Sequence, residues 1–197
     1  MTPDEAVSAN MRQFAAEQEE LATTGKVDAP QPYVFLPEIY EPVVMTRKEN
    51  ITIAPTARID SFVKLEGGVE LVIGAYVHIA SFAHIGIGGG RTLLGDFSAV
   101  ASGARIISGS NQVKGMSMSA CAPKNLQCVQ TYTTRIGKYA TVLTNAVVLP
   151  GINLGTGAVL AAGSVATKDI PAWEIWGGIP AKFIRKREVE LDVPEGR

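Results

Sequence analysis

Aliphatic residues recur at every sixth position over much of the chain. The first run is Ile53, Ile59 and Leu65, the second Ile73, Ile79 and Ile85, and the third Leu94, Val100 and Ile106. After a long break a fourth run takes in Ile136, Val142, Val148, Leu154 and Leu160. The second position of the unit is often small or acidic (Asp60, Gly74, Gly95, Gly155), and the fifth is often small (Ala57, Ala83, Ala104, Ala140, Ala158). An α-helix of period 3.6 cannot hold a six-residue stripe on one face, and a half-buried strand shows period two. A short strand followed by a tight turn does repeat in six. Three such units close a triangular coil, with the aliphatic residues stacked inward about 4.8 Å apart and small residues where the chain turns. One unit cannot bury its own face, so many are required. A β-sandwich with coincidental spacing is the alternative. Fourteen units in phase, with three interruptions, argue against it. The predicted fold class is all-β, a parallel β-helix of triangular section.

The remaining segments lack this period. Residues 1–50 read as an N-terminal helix, with Pro3, Asp4 and Glu5 at its start and Gly25 at its end, followed by an extended arm carrying Pro30, Pro32, Pro37 and Pro42. The β-helix is expected over 51–170, interrupted at 107–135 by a Ser-, Gly-, Asn- and Lys-rich segment that reads as a protruding loop. Residues 171–197 are expected to form a C-terminal cap and tail, with a short basic helix over Ala181–Glu188. The string GIGGGR, 86–91, lacks phosphate-loop spacing and a following helix, so it reads as a widened corner.

Charge and composition narrow the function classes. Eighteen Lys and Arg against nineteen Asp and Glu give a net charge of -1, without the basic surplus of a nucleic-acid binder. The N-terminus has acidic residues and no apolar signal region, and no run is long enough to span a bilayer, so a cytoplasmic location without membrane insertion is the default expectation. Cys121 and Cys128 lack CxxC spacing and neighbouring His, which argues against zinc and for free thiols.

Residues 163–187, GSVATKDIPAWEIWGGIPAKFIRKR, resemble the end of the hexapeptide-repeat acyltransferases, which include galactoside, maltose and xenobiotic acetyltransferases and polysaccharide O-acetyltransferases. The segment DFSAVASGARIISGS, 96–110, resembles the sugar O-acetyltransferase branch. The resemblance spans about 51–187. It implies a left-handed β-helix, a homotrimer with active sites in clefts between prisms, and acetyl transfer from acetyl-CoA to a hydroxyl of a sugar, in polysaccharide biosynthesis, with no metal. The family's coenzyme A contacts fall on Thr144, Ala162, Thr167, Lys168 and Arg185. Small Ala162 lets the thin pantetheine arm approach the backbone, and Lys168 and Arg185 suit phosphates. Trp173 and Trp176 are expected to pack near the adenine end.

Transfer to a hydroxyl needs a base near the acceptor oxygen and a donor for the tetrahedral oxyanion. In galactoside-type members a His opening the protruding loop is the base. That position here is Asn111, which cannot accept a proton but can orient substrate or donate to an oxyanion. His78 and His84, the only histidines, both directly precede an inward aliphatic and are expected to point outward. His84 is the preferred candidate base, His78 the second. Ser81, between them, aligns with an acceptor-contacting position. The competing expectation is a non-catalytic prism that keeps coenzyme A or sugar binding. A γ-carbonic anhydrase-like zinc enzyme needs three imidazoles per site, which two His at this spacing do not supply.

Overall fold

The computed structural model describes residues 37–189. The six-residue period produces a solenoid of three parallel faces. Face one stacks strands Glu38–Ile39, Arg58–Ile59, His78–Ile79, Ala99–Val100, Thr141–Val142, Val159–Leu160 and Glu174–Gly177. Face two stacks Val44–Thr46, Lys64–Glu66, His84–Ile87, Arg105–Ile107, Val147–Val148 and Val165–Ala166. Face three stacks Ile51–Ile53, Glu70–Ile73, Arg91–Leu94, Thr133–Ile136 and Asn153–Leu154. The chain visits the faces in turn, winding as a left-handed β-helix.

Register explains the interior. Leu65, Ile85, Ile106 and Val148 pair in sequence up face two, and Ile59, Ile79, Val100, Val142 and Leu160 up face one, all at most 1% exposed. Ile79, Val100 and Val142 therefore share one column, as the period requires. Each fully buried aliphatic contributes about 1.5–3 kcal/mol.

The corners are made by residues in the left-handed backbone region, which is costly for anything but glycine. At the edge between faces three and one these are Tyr76, Phe97, Tyr139 and Trp173, with φ between 56 and 61°. Their rings stack in order, with centroids 4.9, 5.3 and 6.4 Å apart. Offset aromatic contacts of this kind each contribute about 0.5–1.5 kcal/mol, which offsets part of the backbone cost. Backbone ladder bonds, such as Phe97 N–H to Ala75 O at 2.8 Å and Trp173 N–H to Thr156 O at 2.9 Å, tie successive corners.

Two features differ from the sequence expectation. The first coil takes in Glu38–Ile39 and Val44–Thr46, paired with Arg58–Ile59 and Lys64–Glu66, so part of the stretch read as an arm is already solenoid. The short basic helix expected over Ala181–Glu188 is instead a strand, Lys182–Lys186, antiparallel to Glu174–Gly177. Lys186 Nζ meets Glu174 Oε1 at 2.6 Å, and that ion pair joins the hairpin's two strands. The helix expected over 2–25 and the tail beyond 189 lie outside the described residues.

The long break leaves the column between faces two and three as a neck of two antiparallel strands, Gly109–Asn111 and Val129–Thr131. Buried Ser108 and Thr134 close its base. Tyr132 N–H donates to Ser108 O at 2.7 Å, and Thr134 Oγ1 donates to Ile107 O at 2.7 Å. The column resumes in register above it, with Thr133 opposite Arg91.

Candidate functional site

The edge between faces one and two gathers several predicted site residues. His78 stands on face one, Ser81 at the corner, and His84 on face two, all within one coil. One coil further, Ser102 and Gly103 take the corner. The next coils place Thr144, then Ala162, on the same edge, linked through Gly103 N–H to Ser81 O, Asn145 N–H to Ser102 O and Gly163 N–H to Thr144 O at 2.9–3.1 Å. Thr144 and Ala162 are exposed there.

Thr167 and Lys168 lie elsewhere, exposed at the edge between faces two and three. Asn111 belongs to that second edge as well, in the neck of the loop. Its Nδ2 donates to Met118 O at 2.8 Å, and its Oδ1 is buried without a partner. Arg185 is exposed on the terminal hairpin, donating to Lys186 O at 3.2 Å. Trp173 ends the aromatic stack on the third edge, and Trp176 donates from Nε1 to Glu174 Oε2 at 2.8 Å.

Both histidines carry carboxylate partners that residue spacing alone did not reveal. His84 Nε2 lies 2.7 Å from Glu66 Oε1, which also receives Lys64 Nζ at 2.9 Å. His78 Nε2 lies 2.9 Å from Asp60 Oδ2, while Arg58 Nε meets Asp60 Oδ1 at 2.9 Å. Burial alone pushes the Glu66 and Asp60 carboxyls up. Hydrogen bonds and charge from Lys64 and His84, and from His78 and Arg58, outweigh it and hold both below the ordinary carboxylate value. Ionised carboxylates only accept, so in each pair Nε2 is the donor, an arrangement that leaves Nδ1 facing away from the acid. Each acid lies eighteen residues before its His, at 60/78 and 66/84, two residues out of register with the coil that pairs Arg58 with His78 and Lys64 with His84.

The two pairs differ in setting. The His78 side chain is 47% exposed and that of His84 is 23% exposed. Burial pushes the His84 imidazole below its ordinary pKa despite Glu66 pulling it up, with Lys64 and Arg105 adding to the lowering. Arg105 and Lys64 are its strand neighbours above and below. The His84 imidazole is therefore biased toward its neutral form and oriented by an acid. An imidazole so held is able to do general-base chemistry, taking a proton from a nucleophile at Nδ1 while a carboxylate such as Glu66 stabilises the resulting imidazolium. Among the described residues no group of three His, Cys, Asp or Glu is placed to hold a metal. Cys121 and Cys128 are free thiols.

No family model matches the chain. Over 147 residues it is 34% identical to a dTDP-4-amino-4,6-dideoxy-D-glucose acyltransferase of Escherichia coli, covering 73% of this chain and 75% of that one. Over 115 residues it is 31% identical to a chloramphenicol acetyltransferase of Klebsiella aerogenes, covering 52% of this chain and 55% of that one. Its structure matches a variant of an N-acyltransferase from Bacillus cereus, solved with dTDP-4-amino-4,6-dideoxyglucose and coenzyme A. The TM-score is 0.72 at 25% identity, over 87% of this chain and 90% of that one.

Proposed function

The chain belongs to the hexapeptide-repeat acyltransferases, and from that premise we propose that it moves an acyl group from acyl-coenzyme A, acetyl-CoA in the first instance, to a sugar, with His84 as general base and Glu66 as its positioning residue. The observation that carries this is the half-buried His84–Glu66 pair beside Ser81, on the edge that also presents Thr144 and Ala162. His84 Nδ1 takes the proton of the attacking group. The acceptor atom bonds to the thioester carbonyl carbon, the tetrahedral intermediate collapses with cleavage of the C–S bond, and the imidazolium returns its proton to the departing sulfur. Ser81 is assigned to the acceptor, and Thr144 and Ala162 to the pantetheine arm. Thr167, Lys168 and Arg185 are assigned to the nucleotide end of coenzyme A. Asn111, tied to Met118, is assigned to shaping the loop, with Oδ1 as a spare acceptor.

No single edge carries all of these groups, which favours a homotrimer whose clefts bring the first edge of one prism to the second edge of a neighbour. The exposed apolar tip of the loop, with Val113 at 85% and Met116 at 86%, suits a subunit contact. A cytoplasmic place in polysaccharide biosynthesis follows from the nature of the two substrates.

Two acceptor groups need separating. The sugar O-acetyltransferase resemblance favours a hydroxyl, whereas the E. coli relative is named for an amino sugar and favours an amine. Thiol release from acetyl-CoA, measured with hydroxyl sugars and with dTDP-4-amino-4,6-dideoxyglucose, tells them apart. His84→Ala is expected to abolish release while leaving the assembly folded, and His78→Ala to retain most of it. Full activity in His84→Ala removes His84 from the mechanism. No thiol release with any acceptor points to the non-catalytic binding alternative.

A further inference from the structure

The corner residues on the edge between faces one and two form a column of their own. In coil order they are Phe62, Phe82, Gly103, Asn145 and Gly163, all in the left-handed backbone region. Phe62 and Phe82 fill their positions with stacked rings, 5.3 Å between centroids. Gly103 has no side chain, and its place is taken from above. The Asn145 carboxamide leans down onto it, with Oδ1 2.1 Å from where a Cβ of Gly103 would sit. Above Asn145 the column is empty. Among the described residues nothing lies within 4 Å of such a Cβ at Gly163.

The corner under the amide is fixed. Arg105 Nη1 donates to Gly103 O at 2.6 Å and to Phe82 O at 3.2 Å. Two carbonyls orient the guanidinium without neutralising it, and Arg105 makes no ion pair among the described residues. The Asn145 backbone is tied as well, its N–H donating to Ser102 O at 3.0 Å. The exposed Asn145 side chain makes no hydrogen bond to a described residue. With Oδ1 turned onto Gly103, Nδ2 is the free end, and that end only donates. A free donor on rigid support, beside a guanidinium that no acid neutralises, is preorganised for developing negative charge.

The level of this donor on the edge gives it a use. Thr144 and Ala162, assigned to the pantetheine arm, flank the empty stretch at Gly163. Ser81 lies two coils below the Asn145 backbone, roughly 10 Å, and His84 shares the Ser81 coil. The downward lean brings the amide one coil nearer, to the level of Gly103. A thioester at the foot of the arm, open to an acceptor on Ser81, sits at that level. We infer that Asn145 Nδ2 donates to the thioester carbonyl oxygen and holds it as an oxyanion in the transition state. When the acceptor atom bonds to the carbonyl carbon, the π pair moves to that oxygen, where the amide N–H meets it. The pair returns as the C–S bond breaks, and the sulfur takes the proton from His84. Arg105 holds the corner that carries the amide and so acts as a positioning residue. This inference deepens the proposed transfer and rests on it.

Asparagine also suits a left-handed corner for backbone reasons alone, and glycine suits it better. That separates the two roles. Asn145→Gly keeps the corner and deletes the amide. Asn145→Asp keeps the size and replaces the donor with a charge that repels an oxyanion. In thiol-release assays of the full chain, kcat is expected to fall about 10²-fold in Asn145→Gly and at least as far in Asn145→Asp. KM for acetyl-CoA is expected to stay within about threefold, and Tm of Asn145→Gly to hold. A purely conformational asparagine leaves kcat of Asn145→Gly at the wild-type level, and that result overturns the inference. So does a rise in KM with kcat held. A second readout needs no turnover: infrared difference spectra of bound acetyl-CoA, isotope-labelled at the carbonyl carbon. The carbonyl stretch is expected lower on the wild type than in solution, and to move back in both variants. The same stretch on wild type and Asn145→Gly overturns the inference whatever the rates. Undiminished His84-dependent thiol release in Asn145→Gly sinks this inference alone. An Asn145-dependent carbonyl shift without thiol release from any acceptor sinks the proposed transfer alone.

Discussion

Replacing Glu66 by Gln tests whether the His84 pair acts as a base held by an acid. The substitution keeps size and removes charge from a group 2.7 Å from Nε2. A hydrogen bond to an ionised partner contributes about 1.5–3 kcal/mol. With the two side chains 23% and 24% exposed, the lower part of that range applies. A loss of about 1.5–2 kcal/mol in the transition state corresponds to a roughly 10–30-fold fall in kcat. Removing the imidazole itself is expected to cost about 10²–10⁴. The amide can also turn its NH₂ toward Nε2, which moves the ring proton to Nδ1 and blocks the base. The pH profile adds a second readout. His84 already titrates below its ordinary value because of burial, and Glu66 opposes that lowering. In wild type the rate therefore rises with pH and is level by neutrality. In Glu66→Gln the opposing carboxylate is gone, so the rising limb moves to lower pH while the plateau drops. Continuous thiol-release assays between pH 5 and 8 read both quantities. An unchanged plateau, or a limb displaced to higher pH, refutes the assignment of Glu66.

Ile85→Ala empties a site between Leu65 and Ile106 and is expected to destabilise by about 2–5 kcal/mol in chemical denaturation. Gly157→Ala places a Cβ against Trp173 at φ 67° and is expected to lower stability by about 1–3 kcal/mol, seen as a fall in Tm. Lys168→Ala is expected to raise KM for acetyl-CoA severalfold with kcat little changed; a kcat effect alone contradicts its place at the nucleotide end. Acidification is expected to lower the unfolding midpoint. His84 has a depressed folded pKa, so its contribution is complete above about 6.5 and is lost as pH falls through the folded value. Asp60 and Glu66 act in the same sense from about pH 4 downward. A midpoint that stays level or rises from pH 7 to 3 contradicts these pairs.

The column was legible because each inward aliphatic must recur at one phase, and Ile59 through Leu160 in that series are all buried. The first coil was hidden by its prolines and by Ile39 and Met45, which are only partly covered at the open end. The terminal strand read as a helix because Lys182–Lys186 mixes charge and apolar residues without clear alternation and is exposed throughout. Its partner, Glu174–Gly177, determines the outcome, and pairing of that kind is tertiary information. In the site, Ser81, Thr144 and Ala162 came from the family resemblance, and the structure puts all three at one edge of the column. The carboxylate partners of His78 and His84 were not found, because an insertion in the second coil sets Arg58 opposite His78 and makes Asp60 a diagonal neighbour. Arg105 went unnoticed for a similar reason: its guanidinium bends back to carbonyls of the corner before it.

The loop's neck enters and leaves the column between two adjacent faces, and the coils below and above it remain paired as though nothing had been inserted. Length and composition between Asn111 and Val129 are thereby uncoupled from the stacking that keeps the molecule folded. Such a graft point lets evolution, or an engineer, exchange the whole appendage and redirect selectivity without repacking a single interior side chain.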